Sequence, residues 1–247
     1  MLYCQDLSRS FDGVHALRNV TFQFPSEGII AIIGPNGAGK TTLINVLTGF
    51  VRPDSGRVSL RERDLTRLAP HKIARLGIAR TFQDLRLISR LSVIDNVLVA
   101  APNQKGERLL AALFRNGVAA EEARNRDKAM SWLRFVGLAE QANELAGELS
   151  YGQQKLLTLG SCLATDARIL LLDEPVAGVH PKIVEQILAL LRQLRDLGKL
   201  VIFIEHDLAA VRQVADLVIV MDDGKVIAQG KPSEVLDRPE IIEAYVT

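Results

Sequence analysis

The 247-residue sequence predicts an α/β protein with a mostly parallel sheet, an antiparallel β flank and a helical insertion. Three observations lead there. Short apolar runs rich in leucine and β-branched residues, "GIIAIIG" ending at Gly34, "ARILLLD" at Asp173 and "KLVIFIEH" at His206, are too short for ordinary helices and read as buried strands. Between the second and third lies "PKIVEQILALLRQLRDLG", where Ile183, Ile187, Leu190, Leu191 and Leu194 recur at helical spacing, with Pro181 near its start and Gly198 just past its end. Strand, helix and strand in that order make a βαβ unit, whose parallel strands need helices on their faces. The flanks differ. Residues 17–24 alternate as "LRNVTFQF", and "LVIVMDDGKVIAQG" reads as two strands joined by a turn at Asp223-Gly224, so antiparallel strands are expected at both ends of the sheet.

The stretch from about 84 to 165 is mostly helical in composition. Its segment "RNGVAAEEARNRDKAMSWL" reads as loop into helix with its charges on a solvated face. There is no internal repeat, which argues against a solenoid. The chain is long enough for one large α/β domain with an insertion. A hydrophobic fraction of 48% and 30 basic against 29 acidic residues describe an ordinary globular chain with no bulk attraction for nucleic acid. The N-terminal "MLYCQDLSRSF" has no signal-peptide pattern, and no apolar run approaches the roughly 18 residues a membrane span needs, so a cytosolic location is expected. Cys4 and Cys162 have no CxxC or Cys/His spacing and read as reduced thiols packed as small apolar residues.

Directly after the first buried strand comes "GPNGAGKTT", residues 34–42, which matches G-x-x-x-x-G-K-[ST] through Gly34, Gly39, Lys40 and Thr41. Glycines let the backbone turn its N–H groups inward and the following helix offers its positive end. Lys40 adds a mobile charge and Thr41 a hydroxyl for Mg²⁺. The loop Gly34, Pro35, Asn36, Gly37, Ala38, Gly39, Lys40, Thr41 and Thr42 is therefore the candidate phosphate cradle. Such a cradle calls for a carboxylate at the end of a neighbouring strand to hold the metal, and Asp173 fits. Glu174 is then a second acid, able to take a proton from an attacking water.

These motifs, with "TFQ" ending at Gln83, "LSYGQQ" at 149–154, "LLLDE" at 170–174 and "IEHD" at 204–207, resemble the nucleotide-binding subunit of ABC transporters over nearly the whole chain. "TFQDLRLISRLSVIDNVLVA", the "YGQQ" form of the signature and the ending "IIEAYV" look like the branched-chain amino acid importer ATPases within that family, which implies import of those amino acids or of similar small polar solutes, since relatives for urea, short amides or other amino acids look similar. The resemblance implies one ATPase domain over 1–247. It would have a P-loop core with antiparallel flank (1–83 and 166–247) and a helical subdomain with the signature (about 84–165). It implies ATP and Mg²⁺ as ligands, with Thr41, Gln83 and Asp173 around the metal. Catalysis would fall to Glu174, His206, Gln83 and Lys40. Phe11 would stack on adenine. Ser150, Gly152 and Gln153 would meet the γ-phosphate of a partner chain's nucleotide. "LSYGQQKLLTLG" also reads by itself as a serine-capped helix start.

The implied partners are a second ATPase subunit, identical or related, transmembrane permease subunits and, indirectly, a substrate-binding protein; no nucleic acid is implied. The implied place is the inner face of the cell membrane, reached through the permease. His180 stands where the family has Asp or Asn, which predicts altered coupling between paired sites with catalysis retained. Two other readings stand beside transport: an ABC ATPase acting on ribosomes or DNA, disfavoured by the single cassette, and a weakly active regulatory subunit, disfavoured by intact Lys40, Asp173, Glu174 and His206.

Overall fold

The computed structural model describes residues 1–82, 84–102, 118–239 and 241. The chain divides into two compact units, one of Met1–Arg80 with Arg168–Thr247 and one of Thr81–Ala167. Strands are β1 (Leu2–Phe11), β2 (Val14–Gln23), β3 (Gly28–Ile33), β4 (Ser55–Leu60), β5 (Arg63–Asp64), β6 (Ile78–Arg80), β7 (Ile169–Asp173), β8 (Leu200–Ile204), β9 (Leu217–Asp222) and β10 (Lys225–Gly230). All lie in the first unit. Its helices are α1 (Lys40–Leu47) and α2 (Pro70–Ala74), and, after α3 (Val93–Val99), α4 (Val118–Val136) and α5 (Tyr151–Ala164) of the second unit, α6 (Pro181–Asp196), α7 (Leu208–Val214) and α8 (Pro232–Val235).

The main sheet has the order β10-β9-β3-β8-β7-β6, parallel throughout except for β10 against β9. Every residue of β7 and β8 is buried, as expected of parallel strands covered on both faces. The edge strand β10 instead alternates between exposed and half-buried residues. Helix α6 turns Ile187, Leu188, Leu190, Leu191 and Leu194 inward. At about 1.5–3 kcal/mol for each large side chain removed from water, that stripe is what holds the helix in place. Ile183, which shares the helical spacing, is only half-buried near the helix start.

The flanks depart from expectation at one end. The N-terminal strands do not extend the parallel sheet; β1 pairs with β2 and β4, giving a separate antiparallel sheet of order β2-β1-β4-β5. Their alternation supplies one apolar face. That face joins a single core with α1 and the parallel sheet, in which Leu7, Leu17 and Phe22 cluster with Leu43, Ile44, Leu47, Ile30 and Ile202. Burial is thus achieved face-on and not by adding an edge.

In the second unit, α3 (Val93–Val99), α4 (Val118–Val136) and α5 (Tyr151–Ala164) pack on one another. Asn96, 6% exposed, fixes the approach to α3: its Oδ1 accepts from Ile88 N–H at 2.8 Å and its Nδ2 donates to Ser92 O at 3.0 Å. A buried amide satisfied this way pins the segment before the helix. Cys4 and Cys162 are buried and not bonded to each other. Among the described residues, no helix is long and apolar enough to cross a membrane.

Candidate functional site

The loop after β3 is shaped by backbone contact. Gly34 has φ 147, and a Cβ there would lie 2.0 Å from the carbonyl oxygen of Met221; at Gly39, with φ 94, it would lie 2.2 Å from that of Ala16. Only glycine lets the chain pass so close. Gly224 N–H donates to Ala38 O at 3.2 Å, so the β9–β10 turn braces the loop from outside. Gly39 also caps α1 without a side chain, leaving the helix's first N–H groups to whatever enters the loop. Asn36, Gly37 and Thr41 are exposed, Pro35 and Thr42 half-buried, and Ala38 buried.

Lys40 is 6% exposed and folds back over its own loop, donating from Nζ to Gly34 O at 2.7 Å and Pro35 O at 2.8 Å. Burial pushes its pKa below the usual lysine value, against the opposing pull of Glu174 and Asp173. An ammonium held in this state gains from an arriving polyanion, which is what a phosphate cradle requires.

Asp173 ends β7. That strand is not the immediate neighbour of β3, because β8 lies between them. The expected neighbouring-strand position is therefore corrected to next-but-one. Burial raises the Asp173 pKa above the carboxylate norm; Arg80 and Lys40 pull it down and Glu174 pushes it up. Arg80 is the partner that sequence reasoning missed. Its guanidinium donates to Asp173 Oδ2 at 3.2 Å and to Asn45 Oδ1 on α1 at 2.5 Å, with the ion-paired side chains only 7% and 3% exposed. One cation thus ties the end of β6 to both β7 and α1.

Glu174 has a left-handed backbone, φ 48, which costs a non-glycine residue about 1–3 kcal/mol and persists only where neighbours enforce it. Its N–H donates to Ile204 O at 3.0 Å, extending the β7–β8 ladder by one bond. Its Oε1 lies 3.3 Å from His206 Nε2. The next strand end thus brings the second acid and the histidine together, within reach of one small polar molecule. Glu205 is the other residue missed. It is 2% exposed and accepts from Val176 N–H at 2.8 Å and His206 N–H at 3.2 Å.

Phe11 ends β1 as an exposed residue, 40% accessible, with the Arg9 guanidinium 4.6 Å from the ring centroid. Asp54 holds Arg9 through Oδ1 at 2.7 Å. His180 caps α6, its Nδ1 accepting from Lys182 N–H at 3.2 Å. In the second unit Ser150 caps α5 in a reciprocal box: Gln153 N–H donates to Ser150 Oγ at 3.4 Å, and Ser150 N–H to Gln153 Oε1 at 2.9 Å. Gly152 is half-buried in the first turn of the same helix. Gln83 lies outside the described residues.

The donor set suits a hard divalent cation: the Thr41 hydroxyl and the Asp173 carboxylate supply oxygen beside a loop whose glycine backbone leaves room for phosphate oxygens. Together, a glycine loop between a central parallel strand and a helix, a buried lysine, and acids at the end of β7 define a P-loop nucleotide-binding protein. A family model described as "ABC transporter" matches residues 17–177. The chain belongs to that family. It is an ATP-binding ATPase subunit homologous to branched-chain amino acid importer proteins.

Among its relatives are the high-affinity branched-chain amino acid transport ATP-binding protein LivG of Salmonella typhimurium and BraF of Pseudomonas aeruginosa, of the same description. Each is 39% identical over 248 aligned residues, covering 100% of this chain and 97% of theirs. Among solved structures, a nucleotide-free ATP-binding cassette from an ABC transporter superposes with a TM-score of 0.88 at 35% identity, covering 100% of this chain and 99% of that one. The ADP conformation of the cassette MJ1267 gives 0.86 at 34%, covering 100% and 98%. A dimeric post-hydrolysis state of the cassette MJ0796, bound to ADP and Pi, gives 0.79 at 26%, covering 94% and 99%.

Proposed function

We propose that this chain hydrolyses ATP, with Mg²⁺, as one half of a paired ATPase that drives the import of branched-chain amino acids through membrane permease subunits. The observation that carries the chemistry is the 3.3 Å approach of Glu174 Oε1 to His206 Nε2, with Glu174 within electrostatic reach of the buried Lys40 of the phosphate loop. In this reading the loop 34–42 cradles the β- and γ-phosphates through backbone N–H groups, and Lys40 moves its donors from Gly34 O and Pro35 O to phosphate oxygen. Phe11 offers its ring to adenine, backed by Arg9. Thr41, Asp173 and Gln83 hold Mg²⁺, which when bound neutralises charge on the terminal phosphate oxygens. Glu174 accepts the proton of the attacking water, and His206 orients that water and donates towards the γ-phosphate.

Ser150, Gly152 and Gln153 begin a capped helix suited to an anion, and act on the nucleotide of the partner chain. The two compact units then work as one cassette, a P-loop core and a helical subdomain. It sits on the inner face of the membrane by contact with permeases, which a substrate-binding protein supplies.

Support for the transported substrate comes from the full-length likeness to LivG and BraF, whose names state branched-chain amino acid transport. Deleting the chain from the organism that encodes it should abolish high-affinity uptake of labelled leucine, isoleucine and valine, with uptake restored by the wild-type chain and not by Glu174→Gln. Undiminished uptake in the deletion strain contradicts the substrate assignment.

A further inference from the structure

Glu205 is a carboxylate that the hydrolytic scheme does not use, buried directly after β8 at 2% exposure. An ionisable side chain is tolerated there only if its oxygens are satisfied. The partners come from two different segments. Oε1 accepts from the N–H of Val176, two residues beyond Glu174, at 2.8 Å; Oε2 accepts from the N–H of His206 at 3.2 Å. One buried side chain therefore grips the backbone on both sides of the Glu174–His206 approach. Asp207, on the other side of His206 in the chain, accepts from Ala209 and Ala210 N–H at 2.9 and 3.1 Å, capping α7. His206 is thus held between two anchored acids.

The grip matters because Glu174 sits at φ 48, a conformation it would leave if released. Its own N–H bond to Ile204 O, 3.0 Å, fixes the entry to the turn. Ala177 N–H to Glu174 O, at 3.3 Å, closes the turn on itself but ties it to nothing outside. The Val176–Glu205 bond fixes the exit of the turn to the end of β8. We infer that Glu205 is a positioning residue: its carboxylate locks the turn after β7 to the end of β8 and so keeps the Glu174 carboxylate facing His206. The inference rests on the assignment of Glu174 and His206 to the attacking water.

The two N–H donors are met by separate oxygens, Oε1 and Oε2, which a carboxylate supplies. Glutamine offers one, and its NH₂ would confront the second donor; alanine offers none. The test compares wild type, Glu205→Gln, Glu205→Ala and Glu174→Gln. The readouts are kcat and KM for MgATP, affinity for a fluorescent ADP analogue, melting temperature, and the imidazole ¹⁵N resonances of the histidines at fixed pH. The kcat should fall about tenfold in Glu205→Gln and about a hundredfold in Glu205→Ala, the scale of a misplaced reacting group. KM and ADP affinity should stay within about twofold. His206 resonances should move while those of His15, His71 and His180 hold.

A merely structural role would lower the melting temperature and leave kcat per folded molecule and the His206 resonances unchanged, and that result overturns the inference. So does wild-type kcat in Glu205→Gln and Glu205→Ala alongside an inactive Glu174→Gln. Retained turnover in Glu174→Gln instead overturns the catalytic assignment beneath it. If the alanine variant does not fold, the shape-conserving glutamine variant decides.

Discussion

Replacing Arg80 with methionine keeps most of the side-chain volume and removes the cation from a buried pair whose members are 7% and 3% exposed. Asp173 then keeps its burial and loses the guanidinium that most lowers its pKa. Removing one partner of a buried ion pair costs about 3–5 kcal/mol. With a urea m-value of about 3 kcal/mol/M, the unfolding midpoint at pH 8 should fall by about 1–1.7 M. The sign with pH follows from Asp173. Its folded pKa is raised above the ordinary 3.8 by burial, so its contribution is most favourable below 3.8 and is lost as pH rises through the folded value. Without Arg80 the folded value rises further, so the variant's penalty should shrink on acidification before the wild type changes. Urea melts of the nucleotide-free protein over a pH series running downward from 8 measure both effects. A midpoint shift below about 0.3 M at pH 8, or a gap that keeps the same size throughout the acid series, would refute the claim that Arg80 compensates a buried charge.

Lys40→Met should weaken binding of a fluorescent ADP analogue by about 10–100-fold, the worth of a charged hydrogen bond, with the fold intact by circular dichroism. Near-normal affinity would mean that Lys40 stays on Gly34 O and Pro35 O in the bound state. In Gly34→Ala, the added Cβ would meet Met221 O at 2.0 Å, so a stability loss of about 3 kcal/mol and a melting point lower by about 6–12 °C are expected by calorimetry. Burial pushes the Cys4 thiol up to about 12, so native protein at pH 8 should resist iodoacetamide at Cys4 and react there only in denaturant, as read by peptide mass spectrometry. Rapid native alkylation of Cys4 would contradict its burial.

The strands and helices that the sequence made legible are those with a strong local signal. The β-branched runs ending at Gly34, Asp173 and His206 and the apolar stripe of α6 carry their own periodicity, and the phosphate loop carries its glycines. What stayed hidden depends on pairing across sequence distance. Nothing local tells whether β1 and β2 join the parallel sheet or form their own, because alternation fixes only that one face is buried. β6 is three residues long, too short to carry a pattern of its own, so nothing local singles out Arg80, and its partners Asn45 and Asp173 are far apart in sequence.

Glu205 was more accessible. The logic that picks out Asp173, an acid closing an apolar run, applies equally to the acid after "VIFI", but its backbone partners Val176 and His206 only appear in three dimensions. The signature could be read as a capped helix start, whereas the closing of Ser150 and Gln153 on each other needed coordinates.

In the proposed mechanism Glu174 and His206 act together on the water that attacks ATP. The most direct test is Mg²⁺-dependent ATP turnover as a function of protein concentration for wild type and Glu174→Gln, with assembly state followed by light scattering. Wild-type turnover per chain should rise with concentration, and the variant should lose at least about a hundredfold in rate yet form an ATP-stabilised dimer. Turnover in Glu174→Gln within a few-fold of wild type would contradict that mechanism.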